Sequence, residues 1–101
     1  MQEGSQEFIK FMVEFLEKYP EFKSNSVYLT GESYAGKYLP LFTYDIIAWN
    51  FNHTDQIIPI KGTYIIDPYP SPVIQRTHMH IVPKALGLIN SQHLDQVATL
   101  E

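Results

Sequence analysis

Cysteine is missing from all 101 residues; taken alone this leans towards a reducing compartment at most, and it removes thiolates from any zinc site. Charge is sparse, with 18% of residues Asp, Glu, Lys or Arg against roughly a quarter in an average soluble domain. Cationic residues are the scarcer kind, 7 against 11 acidic ones, for a net charge of -4. No basic patch can form from that balance, which argues against nucleic acid as a partner. No apolar run approaches the ~20 residues that span a bilayer, so no membrane span is expected. The first ten residues carry neither a cationic nor an apolar leader segment, so Met1 is not expected to open a signal peptide. Zinc-ligand patterns such as H-E-x-x-H or paired C-x-x-C are absent. His78 and His80 stand only two apart on an expected helix, where they diverge. Neither metal nor cofactor is expected.

What is present is material for a core. Hydrophobic residues make up 45% and aromatics 14%, enough for one small domain at most, and here part of one. Phe8, Phe11, Met12, Phe15, Leu16 and Tyr19 recur at helical spacing, with Ser5 as the expected N-cap and Pro20 as the stop. Val27 to Thr30 reads as a strand. Leu41 to Trp49 reads as a largely buried helix with Pro40 near its start, and Ile57 to Ile66 as a second, apolar strand. Strand, helix and apolar strand suggest a βαβ unit of a parallel sheet. After the proline-rich stretch 68–72, helices are expected over Val73–Gly87 and Ser91–Leu100, the second capped by Asn90 or Ser91. The expected division is a βαβ core over residues 1–70 and a helical insertion over 71–101.

The chain is organised around Ser26-Val27-Tyr28-Leu29-Thr30-Gly31-Glu32-Ser33-Tyr34-Ala35-Gly36-Lys37-Tyr38. A strand, a hard turn expected at Gly31, a serine at the apex and small residues two before and two after it form the pattern of a nucleophile elbow. Such a turn brings backbone so close at the flanking positions that larger side chains clash. The helix behind it favours negative charge in front. The residue after the serine, Tyr34, lends its backbone N–H to an oxyanion hole.

Gly31-Glu32-Ser33-Tyr34-Ala35-Gly36-Lys37-Tyr38, followed by Leu39-Pro40, resembles the active-site signature of the serine carboxypeptidases. Tyr19-Pro20-Glu21-Phe22, Lys61-Gly62, Asp67-Pro68 and Gly87-Leu88-Ile89 extend the resemblance over nearly the whole chain. It implies a partial α/β-hydrolase fold and an exopeptidase that acts on peptide and protein C-termini at acid pH. It also implies the secretory route, to a vacuole, a lysosome or the outside. Ser33 would be the nucleophile and Tyr34 the oxyanion donor. Glu32 would bind the substrate's C-terminal carboxylate by sharing a proton with a second acid. The sequence departs from the family at the end of the second strand, where many members carry an Ile-Gly-Asn-Gly-like turn and Thr63 to Ile66 here run straight into Asp67.

A serine nucleophile needs a histidine base and an acid to orient it. His53, His78, His80 and His93 each read as structural, although Ser33, Asp67 and His93 formally satisfy the chain order Ser, Asp, His. In the family the acid and the base come from later strands, and a Trp-Asn-Gly-Gly-Pro-Gly loop upstream supplies the second oxyanion donor. Neither is in this sequence, which therefore resembles an internal piece holding the nucleophile without its base. Two other readings compete. One is a non-catalytic carboxypeptidase-like fragment or interaction module, whose exposed strand edges could pair with another chain. The other is a phosphate-binding loop, since Gly31-x-x-x-x-Gly36-Lys37 follows a strand; against it, Tyr38 replaces the metal-binding Ser or Thr and Glu32 places a negative charge in the cradle. Asn52-His53-Thr54 is an N-glycosylation sequon in an expected surface loop.

Overall fold

The computed structural model describes residues 1–90, His93 and Gln96. The chain forms two compact units, Met1–Pro70 and Ser71–Glu101. The first contains helix α1 (Gln2–Lys18), a 3-10 turn (Pro20–Phe22), strand β1 (Val27–Glu32), helix α2 (Ala35–Asn52) and strand β2 (Ile60–Ile66). The strands pair in parallel, with Leu29 opposite Thr63 and Glu32 opposite Ile66. Parallel neighbours need a crossover, and α2 is that crossover. The architecture is α/β, with two parallel strands set among helices.

Helix α2 packs on both strands and α1 packs on α2. Ile9 and Leu16 of α1, Leu29 of β1, and Ala35, Leu39 and Ile46 of α2 form the core with Ile58. Strand β1 alternates as its period demands: Leu29 is buried, while Tyr28, Thr30 and Glu32 face out. Helix α2 is apolar all round rather than striped. Ile46 is fully buried, yet Tyr44 and Phe51 are 70% and 86% exposed.

Several boundaries differ from expectation, each for a physical reason. Ser5 is not a cap. Helix α1 has already begun at Gln2, and Ser5 lies inside it, fully buried, its N–H donating to the Met1 carbonyl at 3.1 Å. Pro20 does stop the helix, with Tyr19 as its C-cap. Helix α2 starts at Ala35, so Pro40 sits inside it. Strand β2 starts at Ile60 rather than Ile57. Asn50 intercepts the chain before the ladder begins: its Nδ2 donates to the Ile58 carbonyl at 2.7 Å, and its Oδ1 accepts the Ile58 N–H at 2.8 Å. Trp49 Nε1 donates to the Gln56 carbonyl at 3.1 Å and ties down the same connection.

In the second unit the expected helix 73–87 is two short ones, α3 (Pro72–Arg76) and α4 (Ile81–Ala85). His78 and His80 therefore lie in the turn between them, not on a common helix. His78 Nδ1 is 2.7 Å from the Ile74 carbonyl, which helps to close that turn. Helix α4 ends where Gly87 predicts. Gly87 takes the left-handed conformation (φ 68), its N–H donates to Lys84 O, and the Leu88 N–H donates to Pro83 O, a Schellman arrangement. The expected helix 91–100 lies outside the described residues except for His93 and Gln96. The His93 N–H is capped by Asn90 Oδ1 at 3.0 Å.

Candidate active site

The strand continues two residues past its expected end at Thr30, so Gly31 and Glu32 belong to β1 and the chain reverses at Ser33 and Tyr34. Ser33 has φ 55, the left-handed region that a serine rarely adopts. Only those two residues separate the end of β1 from the start of α2, and so tight a reversal leaves no room beside it. A Cβ on Gly31 would collide with the Ala35 Cβ and stand 3.0 Å from Leu39 Cδ1. A Cβ on Gly36 would stand 2.7 Å from both the Pro68 Cβ and the Tyr69 nitrogen. The small residues around Ser33 are thus accounted for one by one.

The turn is fastened through its backbone. The Ser33 N–H donates to the Ile66 carbonyl at 3.0 Å, extending the sheet register by one step. The Ser33 carbonyl accepts the Gly36 N–H at 3.0 Å and the Tyr69 N–H at 2.8 Å. The side chain is left free: Ser33 is exposed, and no hydrogen bond reaches its hydroxyl from the described residues of this unit. Glu32 and Tyr34, on either side, are exposed as well. The Tyr34 ring lies tilted, 6.3 Å from Tyr38, which lies 5.5 Å from Phe42, itself 5.2 Å from Phe8 of α1. The elbow's side-chain face thus runs into the α1–α2 packing.

The phosphate-loop reading does not survive this geometry. Its cradle needs free amides at Gly36 and Lys37, and these donate instead to Ser33 O and Tyr34 O. Gly36 is buried against Pro68 and Tyr69. No group of three or more His, Asp or Glu side chains placed to hold a metal occurs among the described residues.

His53 caps the far end of α2, an 18-residue helix and so about 27 Å long, putting it well away from Ser33. Its ring stacks on Trp49 at 3.6 Å, with Nδ1 3.0 Å from the Trp49 carbonyl. Asn52 is the last residue of α2 rather than a loop residue. It is exposed, and its Nδ2 donates to the Ala48 carbonyl at 2.8 Å. Two concavities of this unit lie along α1 and the 54–57 connection, beside Val13, Glu17 and Gln56.

Asp67 to Pro72 reads as turn-rich in the sequence; what sequence reasoning missed is the left-handed opening of that turn and its bond to Ser33. Asp67 has φ 40, and the turn it opens brings the Tyr69 amide onto Ser33. The available signal was Asp67-Pro68 directly after an apolar strand, since Asp tolerates left-handed backbone better than most residues.

Residues 1–100 match the serine carboxypeptidase family profile. The chain belongs to that family. It is 42% identical over 82 residues to a probable serine carboxypeptidase (CPVL) of Dictyostelium discoideum, covering 81% of this chain and 16% of that protein. It is also 42% identical over 82 residues to serine carboxypeptidase-like 50 of Arabidopsis thaliana, covering 80% of this chain and 18% of the relative. A probable serine carboxypeptidase (CPVL) of Pongo abelii is 36% identical over 69 residues, 67% of this chain and 14% of that protein. The chain thus spans about a sixth of the length of these relatives. No solved structure matches it.

Proposed function

We propose that this chain is the nucleophile-bearing segment of a serine-type carboxypeptidase of the α/β-hydrolase fold, working at acid pH on peptide and protein C-termini. Ser33 Oγ attacks the scissile carbonyl and passes its proton to a histidine base; the tetrahedral oxyanion forms at the Tyr34 N–H. Collapse expels the C-terminal amino acid, protonated by the same histidine. Water then hydrolyses the Ser33 ester and restores the hydroxyl. Glu32 recognises the substrate's free carboxylate. The base, its orienting acid and the second oxyanion donor come from the rest of a longer protein, and residues 71–101 begin its helical cap.

The observation that carries this reading is Ser33 in left-handed backbone at the tip of β1 (φ 55), its hydroxyl unengaged among the described residues. A cap or ordinary turn serine would spend that hydroxyl on the backbone. The outward apolar residues of the sheet, Tyr28, Tyr64 and Ile66, are 64%, 66% and 47% exposed. Parallel sheets are ordinarily covered on both faces, which supports a place within a larger sheet.

The test is a serine carboxypeptidase of demonstrated activity with its matching segment replaced by this chain. Release of the last residue from a peptide with a free C-terminus, and not from its amide, is the expected result. Loss of release in Ser33→Ala is expected, with Glu32→Gln raising KM more than it lowers kcat. A folded chimera that is inactive, or one whose Ser33→Ala variant remains active, contradicts the assignment. The reading also places the protein on the secretory route and a glycan on Asn52. Expressed behind a secretion leader, the chain should gain an amidase-removable glycan that Asn52→Gln abolishes.

A further inference from the structure

The Ser33–Tyr34 peptide is held facing one way. Its carbonyl accepts two hydrogen bonds, from Gly36 and from Tyr69, which fill both of its lone pairs. A trans peptide is planar, with C=O and N–H pointing in opposite directions. Pinning the carbonyl towards Gly36 and Tyr69 therefore aims the Tyr34 N–H to the far side, away from both. That N–H makes none of the described backbone turn and cap bonds. The Gly36 bond closes the first turn of α2 and comes with any helix start. The Tyr69 bond arrives from a different part of the chain.

We propose that the Tyr69 backbone amide is a positioning group for the oxyanion donor, delivered to Ser33 by the left-handed turn at Asp67. The inference rests on the reading of Ser33 as nucleophile. Ile66 and Tyr69 both bond to Ser33, at 3.0 and 2.8 Å, so the two residues between them must reverse the chain within that span. Asp67 makes the reversal at φ 40. Gly36 leaves the path open, since a Cβ there would stand 2.7 Å from the Tyr69 nitrogen. Two strained residues, Ser33 and Asp67, thus hold each other in place through Ile66 and Tyr69. The Asp67 carboxylate has no part in this; the main chain does the holding.

Two measurements test it. The first uses the full chain made by synthesis with the Tyr69 amide replaced by an ester, which deletes that N–H, weakens the Pro68 carbonyl as an acceptor and keeps every side chain. The strong intraresidue amide-to-Hα cross-peak that marks left-handed backbone at Ser33 should weaken, and the Tyr34 amide resonance should move, while α1 and α2 resonances stay. The second uses the active chimera. Tyr69→Pro should lower kcat roughly 100-fold, as loss of one oxyanion donor does, with KM nearly unchanged. Tyr69→Phe, which keeps the N–H, should match the parent, and Asp67→Gly, which keeps the turn, should do the same. Unchanged Ser33 and Tyr34 signals in the ester chain overturn the proposal, as does a folded Tyr69→Pro chimera with the kcat of Tyr69→Phe. Failure of the nucleophile reading is distinct: Ser33→Ala would then leave activity intact, whatever the ester chain shows.

Discussion

Gly36 and Pro68 meet so closely that a Cβ on Gly36 would lie 2.7 Å from the Pro68 Cβ. The contact joins the first turn of α2 to the turn that follows β2, and neither side can retreat. Gly36 is buried in a helix and Pro68 is rigid. Gly36→Ala would ordinarily favour a helix. Here overpacking should win, lowering stability by about 1–3 kcal/mol, read as a fall in the urea midpoint of the full chain. A neutral or raised midpoint would mean that the two turns are not locked together.

Ser33 itself should be a site where stability and chemistry oppose each other. Its left-handed φ of 55 costs any residue with a Cβ about 1 kcal/mol or more. Ser33→Gly should therefore be more stable than Ser33→Ala by about 1 kcal/mol, although both lack the hydroxyl. Thermal melts of the two variants side by side measure the difference. Equal melting points would show that the turn is relaxed.

Asn50 fixes the entry to β2 with both ends of its amide, bonded to the Ile58 nitrogen and oxygen at 2.8 and 2.7 Å. Asn50→Ala leaves the Ile58 N–H without its partner, while the Ile58 carbonyl keeps the Ile60 N–H at 2.7 Å, and should cost about 1–3 kcal/mol. Asn50→Asp keeps the acceptor and loses the donor, so it should fall between the two. Hydrogen exchange at the Ile58 amide gives the local readout and should accelerate most in Asn50→Ala.

Ser5 should behave the opposite way. Its Oγ is buried with no partner among the described residues, so the hydroxyl carries an unoffset desolvation cost. Ser5→Ala removes that cost and improves helix propensity, and should stabilise the chain by about 1 kcal/mol. A loss of stability would mean that Ser5 Oγ does have a partner in solution.

How much of this could be read from the sequence divides along a clear line. Periodicity located α1 and the βαβ unit because Leu16, Leu29 and Ile46 are buried as the spacing predicts, although Phe11 of the expected α1 stripe is 57% exposed and Ile9, outside that stripe, is buried. The elbow was legible because Gly31, Ala35 and Gly36 are small for a steric reason that the motif itself states. Two kinds of error remained. Ser5 looked like a cap, but tertiary burial of α1 against α2 overrode local preference. Residues 73–87 looked like one helix because no glycine or proline interrupts Thr77 to His80, where backbone turns nonetheless intervene. The Tyr69-to-Ser33 bond is a third case. It joins backbone atoms of distant residues, and side-chain identity marks only the turn at Asp67-Pro68 and the space at Gly36, not the bond itself.

The most direct measurement is covalent labelling of the active chimera with a fluorophosphonate at acid pH, followed by peptide mapping. The expected result is a single adduct on Ser33, lost in Ser33→Ala and slowed in Tyr69→Pro. A chimera that unfolds cooperatively yet takes no adduct on Ser33 would contradict the assignment of Ser33 as nucleophile.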